Sequence, residues 1–116
     1  DGSRYNHRAA AAVVADRRRP GEAVAAVSPG NLAHYRGELA DAAGLDPAVL
    51  TRELSAVGRR GRPTWLVLPA GRFGRDTEAQ AWLNRRCRLE ATIRRPRLDY
   101  DEYVLDVYKF DPPAPD

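Results

Sequence analysis

The side chains able to do chemistry in this sequence are many arginines, scattered carboxylates, two histidines and one thiol. Ser28-Pro29-Gly30-Asn31 and Gly71-Arg72-Phe73-Gly74-Arg75 each stand between an apolar run and a helix-forming run. Turns of that kind open a helix, where free N–H groups and the helix dipole favour an anion. Ser28, Asn31, Gly71, Arg72, Gly74 and Arg75 are therefore candidates for holding a phosphate or sugar phosphate, with His34-Tyr35-Arg36 facing the same edge. The same residues would serve equally as ordinary strand–helix turns with solvated arginines, and His34 as cover for an apolar surface. The first turn lacks G-x-G-x-x-G, and Gly71-x-x-Gly74 alone is a weak signal, so no cofactor is expected.

The remaining groups point to no catalysis. His7 and His34 have no cysteine or acidic neighbour at metal-ligand or triad spacing, so neither a metal site nor a catalytic residue is expected. Cys87 is the single cysteine, lies where a helix ends, and reads as a buried structural thiol. Asp99, Asp101, Glu102 and Asp106 could be paired carboxylates for acid–base work. Their neighbours Arg94, Arg95 and Arg97 favour charge pairing on a loop and an edge strand instead.

Charge carries a second pattern. Net charge is +3, and Lys109 is the only lysine. A preference for arginine together with abundant alanine also reads as the bias of a GC-rich genome, which weakens charge as a sign of a polyanionic partner. Three arginine groups nevertheless recur at one kind of place: Arg17, Arg18 and Arg19; Arg59, Arg60 and Arg62; Arg85, Arg86 and Arg88. Each lies between a helix end and the next strand. In a parallel α/β layout those junctions share a rim opposite the usual ligand edge. The rim could complement helix dipoles, rest on anionic lipid headgroups, or serve a protein-interaction module. Nucleic acid is disfavoured, because no groove-entering basic helix or stacking platform accompanies the arginines.

The elements that position these groups follow from punctuation and period. Trp65 to Leu68 is an unbroken apolar run bounded by Pro63 and Pro69, which marks a strand covered on both faces. Asn6 caps a helix from His7 to about Arg18 that Pro20-Gly21 stops. Glu22 to Ser28 is a first strand; Asn31 caps a second helix running from Leu32 to about Ala43, closed by Gly44. Asp46-Pro47 opens a third helix, with Val49, Leu50, Leu54 and Val57 on one stripe, and Gly58 and Gly61 at its end. Asp76 caps a fourth, to about Arg86, with Ala79, Trp82 and Leu83 inward. Cys87 to Ile93 and Tyr103 to Phe110 read as the last two strands. The expected fold is a three-layer α/β/α sandwich, a Rossmann-like half, on a mostly parallel sheet of about four strands with an antiparallel last strand at its edge. Residues 1–110 form one domain and 111–116 a Pro-rich disordered tail. The chain opens at Asp1 and holds no methionine, so it reads as a piece of something longer.

Three stretches also resemble a known family: Arg8 to Ala15, then Arg19-Pro20-Gly21-Glu22-Ala23-Val24 with a strand ending Ser28-Pro29, then Arg62-Pro63-Thr64-Trp65-Leu66-Val67-Leu68. Together they are similar to the C-terminal soluble domain of bacterial, actinobacterial-type GT-C membrane glycosyltransferases, polyprenyl-phosphate-sugar-dependent enzymes of the protein-mannosyltransferase kind. Glu22 stands where that family more often has Asp, and the segment from Gly44 to Leu54 is an addition to its pattern. The resemblance implies a non-catalytic domain on the extracytoplasmic side of the membrane, attached to the membrane portion of the same chain. Its implied role is acceptor recognition or covering the active site, with glycan or lipid-phosphate as ligands. The alternatives are a stand-alone cytoplasmic protein binding an anionic small molecule, or an interaction module using the basic rim.

Overall fold

The computed structural model describes residues 5–70, 76–95 and 103–113. Nine principal elements follow in order: α1 (His7–Arg17), β1 (Ala23–Ala26), α2 (Pro29–Tyr35), β2 (Ala43–Gly44), α3 (Leu50–Arg60), β3 (Thr64–Pro69), α4 (Thr77–Arg86), β4 (Cys87–Arg94) and β5 (Val104–Phe110). The strands form one five-stranded sheet in the order β2-β1-β3-β5-β4. β1 pairs parallel with both β2 and β3, while β5 pairs antiparallel with both β3 and β4.

Two cores lie on opposite faces of this sheet. One joins Ala25, Leu66, Leu68, Tyr108 and Phe110 to Leu50, Leu54 and Val57 of α3 and Ala79, Trp82 and Leu83 of α4. The other joins Val24, Ala26, Trp65, Val67, Leu105 and Val107 to Ala10, Ala11 and Val14 of α1, Leu32 of α2, and Leu39. Alternate residues of β3 therefore serve opposite layers, which is why its apolar run does not alternate. The fold is the α/β sandwich the sequence implies.

Local signals explain most boundaries. Asn6 Oδ1 accepts from the Ala9 N–H at 3.2 Å, and Asp76 Oδ1 accepts from the Ala79 N–H at 2.8 Å, so both N-caps act as expected. Gly61 ends α3 at φ 63°, a left-handed conformation that favours glycine. Gly58 lies inside α3 and does different work: a Cβ there would stand 3.2 Å from the Trp82 ring, so its bareness lets α3 and α4 approach.

Four expectations are corrected. The second helix starts at Pro29, with Ser28 rather than Asn31 at its N-cap, because proline suits the first turn. It ends at Tyr35, where Arg36 turns extended; a 3₁₀ turn at Gly37–Leu39 then inserts Leu39 into the core. Gly44 closes no helix: with Ala43 it lies along β1, covering backbone that would otherwise be an open edge. The last strand is antiparallel but internal, since all seven residues of β5 are buried, whereas β4, exposed at Arg88, Leu89 and Arg94, takes the edge. Asp106 is consequently a buried residue inside the sheet, accepting from Thr92 Oγ1 at 3.0 Å; Asp99, Asp101 and Glu102 lie outside the described residues.

Fully buried Leu66 and half-exposed Leu89 give a direct test of this layering. Leu66→Ala should cost about 3 kcal/mol through lost transfer energy and a cavity, and Leu89→Ala no more than about 0.5 kcal/mol, in urea unfolding.

Candidate functional site

Both edges of the sheet carry a candidate. At the carboxyl edge, β1 leads away to β2 on one side and the chain returns to β3 on the other. This is the switch point where open α/β sheets place ligands. A cavity of about 90 Å³ lies there, lined by Tyr5, His7, Ser28, Val67, Pro69 and Leu105 among others. Burial holds the His7 pKa below its ordinary value, against a hydrogen bond to the Tyr5 backbone. Of the residues expected at this edge, Ser28 lines the cavity. Asn31 sits half-buried in the first turn of α2, and His34 is exposed, edge-on to Tyr35 at 4.9 Å. Gly71, Arg72, Gly74 and Arg75 lie outside the described residues.

The amino edge holds a larger cleft of about 460 Å³, lined by Arg17, Arg19, Glu22, Trp65, Arg88, Glu90, Lys109 and Asp111. Topology builds it. β1, β3 and β4 all begin at this edge, and antiparallel β5 ends there, delivering Lys109 beside residues far away in the chain. At its floor, Glu22 Oε1 accepts from the Arg19 N–H and from Trp65 Nε1–H, both at 2.9 Å. Glu22 Oε2 meets Lys109 Nζ at 2.9 Å, and the ammonium also reaches Asp111 Oδ1 at 2.8 Å. Lys109 lies 5.4 Å from the Trp65 ring centroid, adding a cation–π contact. Its side chain is only 7 % exposed.

This packing sets the charges. Burial works against ionised Glu22, yet the Arg19 N–H, the Trp65 indole and Lys109 together bring its pKa down to about 2. Burial likewise opposes the Lys109 ammonium, but Asp111 and Glu22 outweigh it and raise its pKa. The walls are ion pairs too: Arg17 reaches Glu90 at 3.5 Å, and Arg88 contacts Glu90 and lies 3.8 Å from Asp111.

The shared rim of the three arginine groups is thus present, but it divides by pairing. Arg17 and Arg88 line the cleft with carboxylate partners, and Arg19 lines it with none among the described residues. Arg18 forks onto Asp41, at 3.0 Å from Nη1 and 2.5 Å from Nη2. Arg62 donates to the Gly21 carbonyl at 2.7 Å, and Arg86 stacks over Trp82 and Phe110, each at 5.7 Å. Arg59, Arg60 and Arg85 make no ion pair among the described residues.

Glu22, Trp65, Glu90, Lys109 and Asp111 went unremarked as site residues in the sequence. One signal was legible: the only lysine of the chain falls in a strand of mostly apolar residues, where a buried ammonium must find a counter-charge. Cys87 is half-buried at the start of β4, and burial, opposed in part by Arg86, pushes its thiol up to about 12; it is a protonated packing group. Among the described residues no cluster of His, Cys, Asp or Glu could hold a metal ion, and no helix is long and apolar enough to cross a membrane. No family model matches the chain, nor does any curated protein or solved structure.

Because folding lowers the Glu22 pKa, its contribution to stability is complete above the ordinary value of 4.5 and is lost as pH falls towards about 2. Glu22→Gln should cost about 2 kcal/mol near neutrality, by leaving Lys109 short of a partner. That difference should shrink steadily between pH 4.5 and 2 when thermal unfolding of the two proteins is followed across pH.

Proposed function

We propose that this chain is a non-catalytic domain of a membrane-embedded, polyprenyl-phosphate-sugar-dependent glycosyltransferase, and that its amino-edge cleft takes part in recognising the hydroxyl-rich acceptor. One observation carries the reading. Two of the separate stretches on which the family resemblance rests, Arg19 to Val24 and Arg62 to Leu68, meet in this cleft through the Trp65–Glu22 hydrogen bond. Arg19, Glu22 and Trp65 of those stretches line the site.

The chemistry of the cleft fits the assignment. Four cations and three carboxylates line it, so donors and acceptors alternate while the net charge stays small. A hydroxyl is both donor and acceptor, and a neutral polyol matches such a lining better than a polyphosphate does. The volume of about 460 Å³ falls within the ordinary size range of small-ligand sites. The alternative, an anionic small molecule at the carboxyl edge, draws support from the switch-point cavity at Ser28 and His7.

Titrating the isotopically labelled domain with methyl mannoside and short manno-oligosaccharides, followed by amide and indole NMR shifts, decides between them. Saturable shifts at the Trp65 indole and the Arg19–Glu22 amides at millimolar sugar are expected. Silence throughout the cleft at those concentrations would reject acceptor recognition there. Shifts at Ser28 and His7 on adding inorganic phosphate would transfer the site to the carboxyl edge.

A further inference from the structure

We infer that the outer rim formed by the carboxyl ends of α3 and α4, with Arg59, Arg60, Arg62, Arg85 and Arg86, is a docking face for an anionic lipid surface. This inference uses residues other than the cleft's and does not depend on what the cleft binds.

Among the described residues, the chain leaves charge unneutralised along this rim. Arg17, Arg18, Arg36 and Arg88 each have a carboxylate within ion-pair distance. None of the five outer-rim arginines has one among the described residues, although all five are solvent-exposed. Arg62 helps through space to hold the Asp41 pKa down, but that carboxylate is already forked by Arg18. Among the described residues, charge is paired around most of the cleft and left unpaired here.

Helix dipoles account for part of this excess only. Each carboxyl terminus is equivalent to roughly half a negative charge, so α3 and α4 together offset about one of the five positive charges. The opposite ends of the same helices carry Glu53 beside Arg52, and Glu78, with Asp46 capping the 3₁₀ turn that precedes α3 and Asp76 capping α4. An anionic plane therefore attracts one end of these two helices and repels the other, which fixes an orientation as well as an affinity.

The shape of the patch selects the partner class. Arg60 and Arg62 line an open recess of about 220 Å³ together with Asp41, but Arg59, Arg85 and Arg86 lie outside it on the helix ends, and Arg86 already uses the Trp82 and Phe110 rings beneath it. Dispersed, unpaired cations without a groove-entering helix suit a plane of headgroups better than a nucleic acid strand. Roughly a fivefold gain in partitioning per basic residue is ordinary for such a surface.

Flotation with vesicles of phosphatidylcholine, with and without phosphatidylserine, tests the inference. Wild-type protein should bind only the anionic vesicles, and binding should vanish in high salt as the Debye length contracts. Arg59→Gln/Arg60→Gln/Arg85→Gln should lose roughly a hundredfold in partitioning. Arg52→Gln removes the same kind of charge from an exposed site outside the patch and should change binding by less than about fivefold. Circular dichroism and melting confirm that both variants remain folded. The inference is overturned if wild type ignores phosphatidylserine, or if the triple variant binds as wild type does. Equally tight binding of a polyglutamate peptide or a single-stranded oligonucleotide would also sink it, reassigning the face to that polymer. Cleft NMR shifts with sugar are read separately, so either idea can fail alone.

Discussion

A strand covered on both faces is the constraint from which the rest of this protein follows. Thr64 to Leu68 of β3 are all buried, so their side chains need a helical layer above and another below, and their backbone must pair on both sides. β1 and β5 supply the lateral partners, and α1/α2 and α3/α4 the layers. Small residues make this economical. Ala25 and Ala26 on β1, Ala10 and Ala11 on α1, and Gly58 on α3 let neighbouring backbones come close without large side chains between them.

The same constraint produces a polar problem and its solution. An antiparallel strand inserted beside β3 brings Lys109 to the amino edge, where it is almost wholly buried. A buried ammonium is tolerated only when its hydrogen bonds are complete. Glu22, Asp111 and the Trp65 ring complete them, and the carboxylate that does so also receives the Arg19 amide and the Trp65 indole. The floor of the cleft is thus a consequence of how the sheet closes, and the paired walls of Arg17, Arg88 and Glu90 continue it outward.

Charge then divides the amino edge into two regions of different character. In the cleft, Arg17, Arg88 and Lys109 are paired with carboxylates and Arg19 alone of the lining cations is not, among the described residues. Along the ends of α3 and α4 the arginines have no ion-pair partner among the described residues. A single count of net charge, +3 for the chain, conceals this division. The carboxyl edge differs from both, with a small and mainly apolar crevice around His7 and Ser28.

Local chemistry determined the elements. Asn6 and Asp76 announced their caps, Pro63 and Pro69 bounded β3, and the apolar periods of α3 and α4 named their buried faces, because each signal depends on neighbours a few residues away. The recurrence of arginine at helix–strand junctions likewise put three groups on one rim before any coordinates. Tertiary structure decided what such signals cannot reach: that β5 lies inside the sheet, that Ala43–Gly44 leaves a would-be helix to cover β1, and that Glu22, Trp65 and Lys109 meet. Strand order and cross-chain pairing are settled by which arrangement buries the most apolar surface while satisfying every buried polar group. That is a property of the whole chain at once.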